Sequence, residues 1–203
     1  MAPKGPKYGA FAEIDGGQLL DEMRFLARAV STDETRAMMG GINIEVVSEA
    51  TEETPYQILL GVATDGHRIH IVEPLNKSAG PLFGLTAGLW AVISANFKRV
   101  QLARINEPFG DYPSWRKIMP TDPVVSRATF SGFALTARRL GESSMHLYKL
   151  ARSFPECEPV KIDYLADLGY GDAWTVEWRK KGGSLLFRNQ NVKMALIMPM
   201  LDD

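Results

Sequence analysis

With 203 residues, 45% of them apolar and 23% charged, the chain can bury one large core or two small ones without disulfides or metal. Its one cysteine, Cys157, excludes an intrachain disulfide and a cysteine-only zinc site, and His67, His70 and His146 lack the spacing of a helical metal motif. A formal net charge of −1 carries no basic surplus, so any nucleic-acid contact has to rest on local charge rather than on the total.

Residues 1–7 hold two prolines and two lysines and read as a loose tail. No apolar run follows them, so no signal peptide is expected. No stretch approaches the roughly 18 apolar residues of a membrane span, and the expected location is cytoplasmic. Tyr8 to Ile14 predicts a short strand. Asp15-Gly16-Gly17 is turn chemistry and a helix start, and Leu19, Met23, Leu26 and Val30 then recur at helical spacing. Arg24 and Arg28 lie four apart on another face of that helix.

Residues 42–47, 57–63 and 68–72 are strand-like, the last two joined by Thr64-Asp65-Gly66-His67. The Asp-Gly pair is a hairpin-turn signal. Residues 51–56 and 75–81 read as loops. Leu85, Leu89, Val92 and Ile93 predict a second helix, and a strand around Arg99–Ile105 follows. Residues 106–124 contain four prolines and read as a connection between subdomains. A third helix is predicted over 134–153, with Leu140, Leu147, Leu150 and Phe154 on its apolar face and Arg138, Lys149 and Arg152 on a second stripe. A fourth helix has room at 121–133. Strand-like runs at 160–165, 173–179, 184–188 and 193–198 close the chain. This order predicts an α+β fold, antiparallel sheets with helices on one face, in about two subdomains: 8–120 and 121–203.

Four segments, in order along the chain, carry a family resemblance. Asp33-Glu34-Thr35-Arg36-Ala37-Met38-Met39-Gly40-Gly41-Ile42 follows the first helix. Ala63-Thr64-Asp65-Gly66-His67-Arg68-Ile69 sits in a strand–turn–strand context. Tyr112-Pro113-Ser114-Trp115-Arg116-Lys117-Ile118-Met119-Pro120 lies in the proline-rich connection, and Leu196-Ile197-Met198-Pro199-Met200-Leu201 lies near the end. Together they resemble the bacterial DNA sliding clamp, the β subunit of the replicative polymerase. The family protomer has three domains with two helices each. Here residues 8–120 resemble the middle domain, residues 125–203 resemble the second half of the last domain, and nothing resembles the first.

The resemblance implies a DNA clamp fold and a processivity factor without enzymatic activity. It implies a pocket for short peptides of DNA polymerases and clamp loaders, formed by Met39, Thr64, Gly66, His67, Arg68, Ile69, Pro113, Lys117, Ile118, Leu196, Met198, Pro199 and Met200. Methionines and aliphatics suit an adaptable apolar cleft, and Gly66 is expected to let a peptide backbone approach. Leu201-Asp202-Asp203 replaces the family's Arg-Leu ending, so acidic peptides are expected to be disfavoured. The resemblance also implies sequence-independent contact with duplex DNA, for which Arg24, Arg28, Lys98, Arg99, Arg138, Arg139, Lys149 and Arg152 are the candidates. Family rings have twelve helices, so three helices per chain imply a homo-oligomeric ring of four copies, and four helices a ring of three. The competing expectation is a non-encircling decoy or adaptor that keeps the pocket. No Gly-rich phosphate loop, nucleophile elbow or carboxylate pair specifies a reaction, so no catalytic residue, cofactor or metal is expected.

Overall fold

The computed structural model describes residues 7–48, 58–75, 84–106, 110–131, 160, 162–169, 172–179, 183–190 and 192–199. The expected helix at 134–153 and the expected loops at 51–56 and 76–81 lie outside these residues. The chain divides into two compact units. The first is Met1–Gly66 with His70–Pro113, and the second is His67–Ile69 with Ser114–Asp203.

The first unit contains β1 (Tyr8–Asp15), α1 (Gly17–Ala27), a 3-10 helix (Glu34–Met39), β2 (Gly41–Ser48), β3 (Ile58–Thr64), most of β4 (Arg68–Val72, whose first two residues belong to the second unit), β5 (Gly88–Ala95) and β6 (Arg99–Ile105). Its strands lie in the order β1-β6-β5-β2-β3-β4. Period-two patterning explains the faces. In β1 the side chains of Ala12 and Ile14 are buried while Phe11 and Glu13 are exposed. In β2, Ile42 and Ile44 are buried, whereas Asn43 and Glu45 share the other face and bond to each other at 3.0 Å.

Helix α1 packs its apolar stripe on this sheet, with Met23 and Leu26 fully buried. Gly61 in β3 permits the close seat: a Cβ there would stand 2.6 Å from Leu26 Cδ1. The helix is also tied to β4 by His70. Its Nδ1–H donates to the Phe25 carbonyl at 2.7 Å, and its ring stacks on Phe25 with centroids 4.1 Å apart. The carbonyl accepts only, so this bond fixes a proton on Nδ1.

Two of the predicted helices are corrected here. The run containing Leu89, Val92 and Ile93 is the strand β5, not a helix. Leu85, Leu89 and Val92 do sit at helical spacing, but in a short apolar run both periods are satisfied at once. Trp90 pairs with Ile42 on β2, and Ala91 with Ala103 on β6. Val92 pairs with Leu102 on β6, and the β-branched Val92 and Ile93 suit an extended strand. The space for a fourth helix at 121–133 contains instead the strand β7 (Ser126–Ser131).

The second unit holds a 3-10 helix (Trp115–Ile118), β7, a short helix α2 (Ile162–Ala166), β8 (Ala173–Trp178), β9 (Leu185–Asn189) and β10 (Lys193–Ile197). Its strands follow the order β10-β9-β8-β7, all antiparallel. Within the run 160–165, expected as a strand, residues 162–165 instead begin the helix α2. The reason lies in Leu165 and Leu168, three apart and both buried, with Asp163 in the first turn.

Trp174, Val176, Phe187, Ala195 and Ile197 fill the core of this unit. Buried Glu177 is clamped by Arg127 at 2.7 Å and Arg179 at 3.0 Å. Burial pushes its carboxyl up, but the two guanidinium hydrogen bonds outweigh that and hold it below the usual carboxylate range. At the β9–β10 turn, Asn189 Oδ1 accepts from the backbone N–H of Val192 and of Lys193, at 3.1 and 2.9 Å.

Candidate functional site

The candidate peptide-binding residues fall in both units. In the first unit, Thr64 ends β3 buried, and its Oγ1 accepts the Gly66 N–H at 3.1 Å. Gly66 has φ 91, so the turn requires glycine. The group that approaches its open side is Arg36, whose Nη1 would stand 2.7 Å from an added Cβ and donates to the Asp65 carbonyl at 2.8 Å. Glycine here therefore serves a close contact within the chain. Met39 is partly buried at the end of its 3-10 helix. Pro113 follows Tyr112, whose hydroxyl donates to the Val62 carbonyl at 3.3 Å and whose pKa is raised mainly by burial.

In the second unit the backbone N–H of Met198 donates to the His67 carbonyl at 2.9 Å. That bond joins the second and the fourth of the signature segments. Ile69 and Leu196 are buried and present no surface of their own. Met198 and Pro199 are partly buried, His67 and Lys117 are exposed, and Ile118 is 48% exposed. Met200 lies outside the described residues.

Arg68 is held in a way the sequence did not suggest. Its guanidinium pairs with the Asp167 carboxylate and lies over the Tyr164 ring, 4.5 Å from the centroid. Both partners belong to α2 and its C-terminal turn, and nothing in their local pattern marks them as neighbours of a residue 99 positions away. An ion pair together with stacking on an aromatic ring fixes the guanidinium plane.

Of the candidate DNA contacts, Arg24 and Arg28 lie on α1 beside a cleft of about 370 Å³ whose other wall is the β5–β6 hairpin. Lys98 and Arg99 occupy that hairpin's turn and the start of β6. Arg24 bonds Asp21 at 3.1 Å, and Arg99 lies 3.8 Å from Glu13. Arg138, Arg139, Lys149 and Arg152 lie outside the described residues. Sequence reasoning also passed over Phe97, 71% exposed between Asn96 and Lys98. Among the described residues no cluster of three or more His, Cys, Asp or Glu side chains could hold a metal, and no helix is long and apolar enough to cross a membrane.

No family model and no curated protein matches this sequence. Solved structures do. The β sliding clamp of Caulobacter crescentus aligns with 100% of this chain and 68% of its own, at 16% identity and a TM-score of 0.59. The DNA polymerase III β chain of Streptococcus pneumoniae aligns with 99% of this chain and 68% of its own, at 17% identity and a TM-score of 0.59. The Helicobacter pylori β clamp, solved bound to a DNA ligase peptide, covers 99% and 67% respectively, at 14% identity and a TM-score of 0.55. The chain spans about two thirds of the length of these clamps. From end to end, then, it has the fold of the bacterial DNA polymerase III β sliding clamps.

Proposed function

We propose that this chain is a sliding clamp: copies of it close a ring around duplex DNA and tether partner proteins through short peptides. The observation that carries this reading is the clamp fold running through the whole chain, in company with signature segments in family order. The role is topological and not enzymatic. A closed ring cannot leave a duplex sideways, so it slides while keeping its partner near the template. Contacts to phosphates then need be only weak and salt-sensitive.

Within the second unit, the peptide pocket would take an extended segment with apolar anchors against Met198, Pro199 and Ile118, over Ile69 and Leu196. His67 and Lys117 would meet the polar groups of the peptide, and Met200 would extend the apolar wall. Arg68, held by Asp167 and Tyr164, would act mainly as a fixed positive edge. That the Helicobacter pylori clamp was solved bound to a DNA ligase peptide supports a peptide as the partner. Residues 8–120 would correspond to the middle clamp domain and 121–203 to a shortened last domain.

Ring size follows from domain count. Two compact units per chain, against six domains in a family ring, favour three copies. Light scattering across a range of protein concentrations tests this. A stable trimer supports the reading, and a persistent monomer replaces it with a non-encircling adaptor that keeps the peptide pocket.

A further inference from the structure

The β5–β6 hairpin ends in a turn that holds an aromatic ring out into water. The Asn96 N–H donates to the Arg99 carbonyl at 3.0 Å, and Asn96 Oδ1 accepts the N–H groups of Lys98 and Arg99 at 2.8 and 3.1 Å. These bonds pin the backbone on either side of Phe97. The ring is 71% exposed, with the Lys98 ammonium 5.6 Å from its centroid. Beside it the cleft of about 370 Å³ runs between Arg24, Ala27 and Arg28 on α1 and Val92, Ala95 and Phe97 on the hairpin. Of the nearby acids, Asp21 bonds Arg24, and Glu13 faces Arg99. Arg24, Arg28, Lys98 and Arg99 put four cationic side chains around the exposed aromatic face.

We propose that this tip and cleft form a contact for single-stranded DNA, in which an unpaired base stacks on Phe97 while neighbouring phosphates meet Arg24, Arg28 and Lys98. The partner's chemistry follows from the pairing of features: a planar apolar face takes a base, and flanking cations take the backbone. A paired base inside a duplex has both faces covered by its neighbours, so Phe97 discriminates single strands from duplex. The inference rests on the DNA-binding reading above and adds a second kind of DNA contact to it.

The test uses the full chain, a labelled oligothymidylate and a labelled duplex of equal length, at low salt. Phe97 is exposed, so Phe97→Ala leaves the core intact, which its thermal melt verifies. The expected result is an about tenfold loss of affinity for the single strand, with duplex affinity unchanged. Phe97→Trp is expected to retain single-strand binding and to show quenching of the new indole by the bases. Single-strand binding by Phe97→Ala equal to wild type overturns the proposal. So does an equal loss on both DNAs, or a loss confined to a clamp-binding peptide, which would make the tip a protein contact. Retention on circular duplex, measured in parallel, reports separately on the ring. Loss of that retention with single-strand binding intact overturns the ring alone.

Discussion

The seat of α1 on the first sheet can be perturbed in a way whose outcome is worked from two atoms. Leu26 is fully buried, and the space its Cδ1 occupies is the space a Cβ at Gly61 would claim, 2.6 Å away; Leu75 Cδ2 closes the other side at 3.4 Å. Leu26→Ala leaves a cavity and should cost about 3 kcal/mol. Gly61→Ala forces the helix off its seat and should cost about 2 kcal/mol. Together, the new methyl at position 61 fills part of what Leu26 vacated. The double variant should therefore cost about 3 kcal/mol rather than the sum of about 5, a favourable coupling of about 2 kcal/mol. The two units need not unfold together, so urea dependence of amide exchange in α1 and β3 is the suitable readout. Additive costs, within about 0.5 kcal/mol, would show that Leu26 does not sit on Gly61. The matter bears on the proposed DNA contact, because this seat positions Arg24 and Arg28.

Glu177 sets the acid limit of the second unit. Its folded pKa lies below its unfolded one, so the added stability is complete above the unfolded value and disappears as pH falls through the folded value. Glu177→Gln should lower stability by about 1 kcal/mol at neutral pH, a modest figure because Arg127 is exposed. Its stability–pH curve should meet that of wild type at the acid end, and parallel curves would remove Glu177 from this role. For the peptide pocket, Met198→Ala with Met200→Ala should weaken binding of a clamp-binding peptide by about 2 kcal/mol in a titration, the scale of losing buried anchors. Unchanged affinity would remove both methionines from the pocket.

Most of the fold was legible wherever alternation and turn chemistry agreed. The β3–β4 hairpin followed from Asp65-Gly66 between two apolar runs, and α1 from the Met23 and Leu26 stripe. Legibility failed where a short apolar run satisfied two periods, as at Leu89–Ile93, and where one helical turn carried too few residues to declare itself, as at Ile162–Ala166. The signature segments that define the candidate site could be read because each is local in sequence. The Arg68–Asp167–Tyr164 contact was not, since a pairing across 99 positions leaves no local pattern. Gly66 taught a similar lesson. Its residue type announced a close approach, but Arg36 makes that approach within the chain.

Topological binding is tested most directly by trapping. The protein is allowed to thread onto linear duplex DNA, the ends are closed by ligation, and the circle is challenged with high salt. Phosphate contacts fail under that challenge, whereas a closed ring stays. The account predicts protein retained on the circle in salt and released when a restriction enzyme cuts it. Release by salt from circle and linear DNA alike would contradict encirclement.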